Sequence, residues 1–501
     1  MTSWRDETLL SPIAAPPKAS RRSGFMRALG LAVAALMTAN AVVVAEQLTG
    51  RDLVSLVTDG FDNARDAIGR TVESDRSQRT AAGEVNDSTS TTASGSLAAP
   101  GSIPGTEVPA PGAAPDSTTS TAPPTSGTRP GTPTTTGTPV GGTATPSTTA
   151  PQAAAQAKAP TAEEIVAGLA PYVERERGLT FKSPVEVTTL DEAPFQAKVS
   201  GVRLNPYLER ARRVQGTLRA LDVIGTDVDL AAEVKKLSTG NVAALYDTGA
   251  NELFIRKQPF TPYILKVIVH EMVHALNDQY FELSRPDIQN NPDEEAGAAF
   301  DALIQGIATR IENRFVAAMS DGDRKSVEDE QRRIAAKLPR DMPTYVPVYY
   351  AFPFAAGPRL VDAILASGGT ARLNAAIQSP PTTTEHVFHP EKYLAGEGAR
   401  PIAAPGADGS VVRSGSLGQL VISIMLSGQL EGDYAESAAD GWGGDRFVQW
   451  QNGNQSCVRL VIDMDNAEES TELGEGLVDW AMDLPGAEVE GNGPFTVTRC
   501  S

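Results

Sequence analysis

Val269-His270-Glu271-Met272-Val273-His274-Ala275-Leu276 is the stretch on which the reading of this chain turns. Thr261-Pro262 precedes it, a capping residue followed by the one residue type pre-set for a first helical position, so a helix starts there. Its predicted course runs to about Leu283, before Pro286. Residues four apart share a face of such a helix, which aims the imidazoles of His270 and His274 at one point. Val267, Ile268, Val269, Met272 and Val273 make the helix apolar nearly all round, so it is expected to be buried. Two histidines and a glutamate inside a buried helix need a polar partner, and a metal ion supplies one.

The chain has only four histidines and two cysteines, Cys457 and Cys500, so a cysteine-rich metal site is excluded. Imidazole nitrogens suit Zn2+, which in catalytic sites takes three protein ligands and keeps one position for water. Glu271, one residue past His270, is placed to act as a general base on that water rather than as a ligand. In an oxidising compartment Cys457 and Cys500 are expected to pair and pin the C-terminus.

Composition divides the 501 residues unevenly. The hydrophobic share is 41%, the aromatic share 6% and the net charge −19, which excludes a nucleic-acid partner of the usual basic kind. Residues 1–27 are polar and end in Arg21, Arg22 and Arg27, a cytoplasmic tail. Residues 28–45 are uncharged and long enough to span a bilayer as a transmembrane anchor. The arginines before the span and Glu46 after it place the N-terminus inside and the rest outside. A cleaved signal leading to secretion is the alternative, since Val43 and Ala45 are small; Ser20-Arg21-Arg22 resembles a twin-arginine signal only weakly. A charged juxtamembrane segment at 46–87 precedes a disordered stalk of Ser, Thr, Pro, Gly and Ala at 88–160. As a flexible chain that stalk reaches about 50 Å.

Globular patterning occupies 161–501. Thr161 to Arg177 reads as a helix, with Ile165, Leu169 and Val173 every fourth residue. Val185 to Leu190 reads as a strand and Pro206 to Leu221 as a helix. Val242 to Tyr246 and Glu252 to Arg256 bracket a turn containing Gly249, a hairpin. Helices are expected at Pro292 to Met319, Arg359 to Ala366 and Gly418 to Leu426, before a β-rich end at Phe447 to Asp463 and Phe495 to Thr498.

Four pieces carry a family resemblance: Asn241 to Asp247 (NVAALYD), His270 to Tyr280 (HEMVHALNDQY), Thr384 to Tyr393 (TEHVFHPEKY) and Gly441 to Arg446 (GWGGDR). Together they resemble a family of bacterial, chiefly actinobacterial, zinc metallopeptidases, and they span most of Thr161 to Gln451. The resemblance implies an α+β, zincin-like domain, mainly helical with a small sheet. It also implies a gluzincin-type site, whose third ligand is a glutamate on the next helix. The family's Glu-Gly-Asp-Ala-Thr stands here as Gln305-Gly306-Ile307-Ala308-Thr309. The third-ligand candidates are therefore Gln305 and, one turn earlier, Asp301. Glu294 and Glu312 share that face and read as a solvated acidic stripe. His386, His389 and Asp278 are further candidates, as ligand, hydrogen-bond donor or orienting group. By analogy with zincin folds, the Glu252 to Arg256 strand would offer its edge to substrate.

The expected function is a membrane-anchored, extracytoplasmic zinc peptidase acting on peptide or protein substrates, in contact with the cell envelope. The alternative, resting on Gln305, is a degenerate relative that binds without cleaving.

Overall fold

The computed structural model describes residues 159–501, apart from 239–241, 290, 292, 293 and 340. The expected tail, anchor, juxtamembrane segment and stalk lie outside the described residues. Among those described, no helix is long and apolar enough to cross a membrane.

The first element, α1 (Ala162–Arg177), opens with a capping box: the Thr161 hydroxyl accepts from the Glu164 amide, and the Glu164 carboxylate accepts from the Thr161 amide. Next come β1 (Glu186–Leu190), α2 (Glu192–Val199), a π-helical turn over Ser200–Leu204, α3 (Asn205–Ala220) and α4 (Leu230–Ser238). The hairpin is β2 (Ala244–Asp247) and β3 (Glu252–Arg256), with Tyr246 opposite Leu253. β1 pairs parallel to β3, giving a three-stranded sheet in the order β1-β3-β2. That order corrects one expectation. The Glu252–Arg256 strand is central, paired on both sides, so it has no edge to offer a substrate. The hairpin's free edge belongs to β2, all four of whose residues are buried, against the helix described next.

That helix, α5 (Pro262–Phe281), starts as expected, with Thr261 accepting from the Ile264 amide and Pro262 at the first position. It ends two residues earlier than expected, at a left-handed Glu282. It is buried along most of its length, as its apolar circumference required. After the short α6 (Pro286–Gln289), α7 (Glu294–Ala317) packs on α5, α8 (Asp321–Ala335) follows, and α9 (Tyr345–Gln378) lies across α7. The α7–α9 crossing is tight at one point, where a Cβ on Gly306 would run into the Gly357 backbone and one on Gly357 into the Ala302 carbonyl.

Short α10 (Glu385–Phe388) and α11 (Pro390–Ala395) lead to the second sheet. It is built from β4 (Val411–Gly415), β5 (Trp442–Asn452), β6 (Gln455–Met464), β7 (Glu488–Glu490) and β8 (Phe495–Cys500), antiparallel in the order β4-β5-β6-β8-β7. Between its strands come α12 (Gly418–Ser427), α13 (Gly432–Ala439) and α14 (Ala467–Met482). The expected strands at Phe447 to Asp463 and Phe495 to Thr498 are present, with one helix, α14, between them. The whole is α+β, and one continuous apolar core joins the helices to the second sheet.

Cys457 and Cys500 sit opposite each other on β6 and β8 and are disulfide-bonded, 43 residues apart. Such a bridge persists in oxidising compartments. Chain-entropy arguments give it about 2–4 kcal/mol of stabilisation. Replacing both cysteines with alanine is expected to lower the denaturant midpoint accordingly; an unchanged midpoint would show that the bridge is structurally idle.

Candidate metal centre

α5 brings His270 and His274 together as their spacing required, with Nε2 of one 3.1 Å from Nε2 of the other. The third group at this point is Gln305, from α7, whose Oε1 lies 3.0 Å from His270 Nε2. Of the two third-ligand candidates, Gln305 is thus the one that reaches the imidazoles. Asp301, one turn earlier, opens into an adjoining cavity instead.

His270 Nδ1 lies 2.9 Å from Oε2 of Glu312, an ion-pair partner also held by Lys266 Nζ, 2.7 Å from its Oε1. Both are essentially inaccessible, Lys266 at 1% and Glu312 at 0% exposure. The carboxylate accepts a hydrogen bond from Nδ1–H, so the lone pair of His270 lies on Nε2, facing His274 and Gln305. Burial, with His270 and Arg203 nearby, holds the His274 pKa well below the ordinary imidazole range. That ring is therefore neutral. Nε2 of His270, the His274 ring and the amide oxygen of Gln305 face one another, which leaves the point of convergence rich in lone pairs. Phe354 of α9 stacks on His270 at 6.2 Å between ring centres and closes the side toward α9.

Do these residues fit zinc? The two separations, 3.1 and 3.0 Å, are close to the roughly 3.3 Å between tetrahedral neighbours about 2.0 Å from the ion. The donor chemistry fits in part: two imidazoles suit zinc, while a neutral amide oxygen binds it more weakly than a carboxylate. Among the described residues, no three His, Cys, Asp or Glu side chains gather as a ligand set. The third arm is Gln305 alone.

Glu271 is 4% exposed. Its Oε2 accepts from the Tyr246 amide of β2 at 3.0 Å, and its Oε1 faces the Arg203 guanidinium at 3.8 Å. The edge strand thus gives its free donor to Glu271 itself. Arg203 sits in the π-helical turn, where the extra residue per turn swings it toward α5.

Other expectations are corrected. Glu312 is not part of a solvated stripe; it is the buried carboxylate orienting His270. Glu294 is ion-paired to Arg210 and Arg213. Asp278 orients no imidazole: it accepts from the Tyr246 hydroxyl at 2.9 Å and the Leu283 amide at 2.7 Å, bracing the end of α5 against β2. His386 is a loop brace, its ring nitrogens contacting the Thr382 amide and the Glu397 carbonyl. His389 pairs with Asp440 at 2.6 Å, an interaction that lifts its pKa to about 9 against the opposing effect of burial. The fourth resembling piece is also architectural. Asp445 accepts from the Leu417 and Gly418 amides and the Trp442 indole, fastening α12 to β5.

The sequence reading missed Arg203, Lys266 and the role of Glu312. One signal was available: Lys266 stands alone one turn before His270 on a helix apolar all round, so a buried acid had to meet it.

The cavity beside Gln305 has an unfilled volume of about 20 Å³ and is walled by Arg203, Tyr207, Asp301, Tyr349, Tyr350 and Phe354, among others. Asp301 is half-buried there, and withdrawal from water pushes its pKa up to about 6.

A family described as a domain of unknown function, DUF8575, matches residues 409–499. That stretch holds β4 to β8 and the Asp445 and Cys457 positions, and none of His270, Glu271, His274 or Gln305. Neither a curated protein nor a solved structure matches the chain.

Proposed function

We propose that this chain is a zinc-dependent peptidase of the zincin type, held outside the cytoplasmic membrane by the segment Ala28 to Ala45 and the stalk after it. The observation that carries this reading is the convergence of His270 Nε2, His274 Nε2 and Gln305 Oε1, with His270 locked in the required tautomer by Glu312. The disulfide fits an extracytoplasmic setting.

Zinc, when bound, supplies Lewis acidity that polarises a carbonyl and acidifies water. The remaining work falls to the chain. Glu271 takes a proton from the attacking water on Oε1, the oxygen that the Tyr246 amide leaves free, and returns it to the leaving amine. The Tyr246 amide fixes the carboxylate's orientation. Arg203, its guanidinium 3.8 Å from Oε1, steadies the side chain.

A second reading is a zinc-binding relative that does not cleave. It is favoured by the amide in place of a carboxylate and by the burial of the site, with His270 at 3% and His274 at 9% exposure. One comparison separates the two. Glu271→Gln is expected to keep its zinc and lose hydrolysis of a mixed peptide library by a factor of about 100 or more. Zinc retained with no hydrolysis in either protein would select the second reading.

A further inference from the structure

Between α3 and the second sheet opens a groove of about 500 Å³, walled by none of the residues of the metal centre. Along α3, Arg212, Gly216 and Arg219 stand four and three residues apart and form one stripe on its wall, with Gln215 beside them. The floor is the sheet. Gln449 and Gln451 of β5 project from one face, and Ser456 of β6 lies opposite Gln451. Helix and sheet meet closely at Gly216, where a Cβ would run into the Gln449 amide and approach the Ser456 hydroxyl. Gln449 is fixed there: its Oε1 accepts from the Thr217 hydroxyl at 2.9 Å and its Nε2 donates to the Ser456 hydroxyl at 2.8 Å.

The groove's charge runs against that of the chain. The net charge is −19, yet three arginines line the groove and no aspartate or glutamate does. Arg213 is committed to Glu294. Arg219 is half-buried, its Nη2 held by the Val228 carbonyl at 2.5 Å, and Arg212 is exposed; among the described residues neither meets a carboxylate. Exposed charges more than about 8 Å apart are largely screened at physiological salt, so an anion in the groove meets these arginines rather than the chain's distant acids. The volume falls within the roughly 300–1,000 Å³ of small-ligand sites, but the lining differs from most of them. No aromatic side chain lines it, and Val412 is its one aliphatic wall.

We propose that this groove binds an acidic saccharide, with Arg212 and Arg219 on its anionic groups and the side-chain amides on its hydroxyls. A guanidinium presents a planar fork of donors that matches carboxylate or phosphate. A side-chain amide offers donor and acceptor together, which suits neighbouring hydroxyls. An acidic peptide fits less well. Extended peptides take a free sheet edge and helical ones an apolar groove, whereas β5 and β6 are paired on both sides. A single-stranded nucleic acid would need aromatic faces for its bases. Two sources share the saccharide's chemistry, a uronate carboxylate and a phosphate ester on a sugar.

The test is calorimetric binding to the purified full chain, with trigalacturonate, its methyl ester, maltotriose 6-phosphate and hexaglutamate as probes. The methyl ester keeps the sugar hydroxyls and loses the charge, and is expected to bind about tenfold or more weaker than trigalacturonate. Arg212→Gln is expected to weaken trigalacturonate about tenfold with an unchanged unfolding midpoint, since Arg212 is exposed. Arg219→Lys keeps the charge without the fork and is expected to weaken it by a smaller factor. Arg333→Gln removes the same charge from the exposed surface of α8 and is expected to change nothing. The tighter of the two anionic sugars names the source. If neither binds, or if esterification or Arg212→Gln leaves binding unchanged, the proposal is overturned. Hexaglutamate binding as tightly as the sugars would give the groove to an acidic peptide and overturn it equally. None of these probes reports on zinc, so this proposal and the peptidase reading stand or fall separately.

Discussion

Glu312→Leu is expected to destabilise the chain by about 3–5 kcal/mol, measured as a shift in denaturant midpoint. Glu312 is wholly buried and stands between two buried donors, Lys266 Nζ at 2.7 Å and His270 Nδ1 at 2.9 Å. Removing it strands an ammonium group whose pKa burial already depresses and leaves an imidazole N–H without an acceptor. The large cost comes from this stranding, not from the worth of the pair itself. Accordingly Lys266→Met combined with Glu312→Leu is expected to recover most of the lost stability. Zinc affinity follows a different course. It should stay about 10–100-fold below wild type in the double variant, because His270 has lost the group that fixes its tautomer. A double variant with wild-type zinc affinity would show that Glu312 only packs. A single variant as stable as wild type would contradict the buried network.

Gly306→Ala is expected to cost about 3 kcal/mol, the upper part of the range for overpacking, because its new methyl group meets the Gly357 backbone rather than a movable side chain. Separating α7 from α9 would also move Gln305, the neighbouring residue, relative to His270. Zinc affinity should therefore fall together with stability, while Gly322→Ala, on the exposed start of α8 with only the Ser320 hydroxyl nearby, serves as a neutral control. A stable Gly306→Ala chain with unchanged zinc binding would mean that the crossing does not place Gln305.

Features governed by local chemistry were legible in the sequence. Thr161 and Thr261 announced their helices through capping, and the spacing of His270 and His274 put both on one helical face. Features depending on a distant partner were not. Tyr345–Gln378 forms one long element in spite of Pro353 and Pro358, with a break only at Gly368 and Gly369. Packing along α7 outweighs the missing backbone donors there, so the sequence suggested only its middle. Glu312 looked like a surface acid because its two partners lie 46 and 42 positions earlier, on α5. The strand order of the first sheet was equally hidden, since β1 enters beside β3 from before the hairpin. At the site itself, the convergence of His270 and His274 and the place of Glu271 beside them were readable from spacing, whereas Arg203 depends on a π-helical turn that no periodicity signals.

The central claim is that His270, His274 and Gln305 hold a metal, and zinc content measures it directly. The purified full chain, equilibrated with micromolar zinc and dialysed, is predicted to retain about one zinc per chain, and His270→Ala and His274→Ala almost none. Gln305→Glu should hold the ion more tightly than wild type. Wild-type chain that retains no zinc, or a His270→Ala chain that retains as much as wild type, would contradict the account.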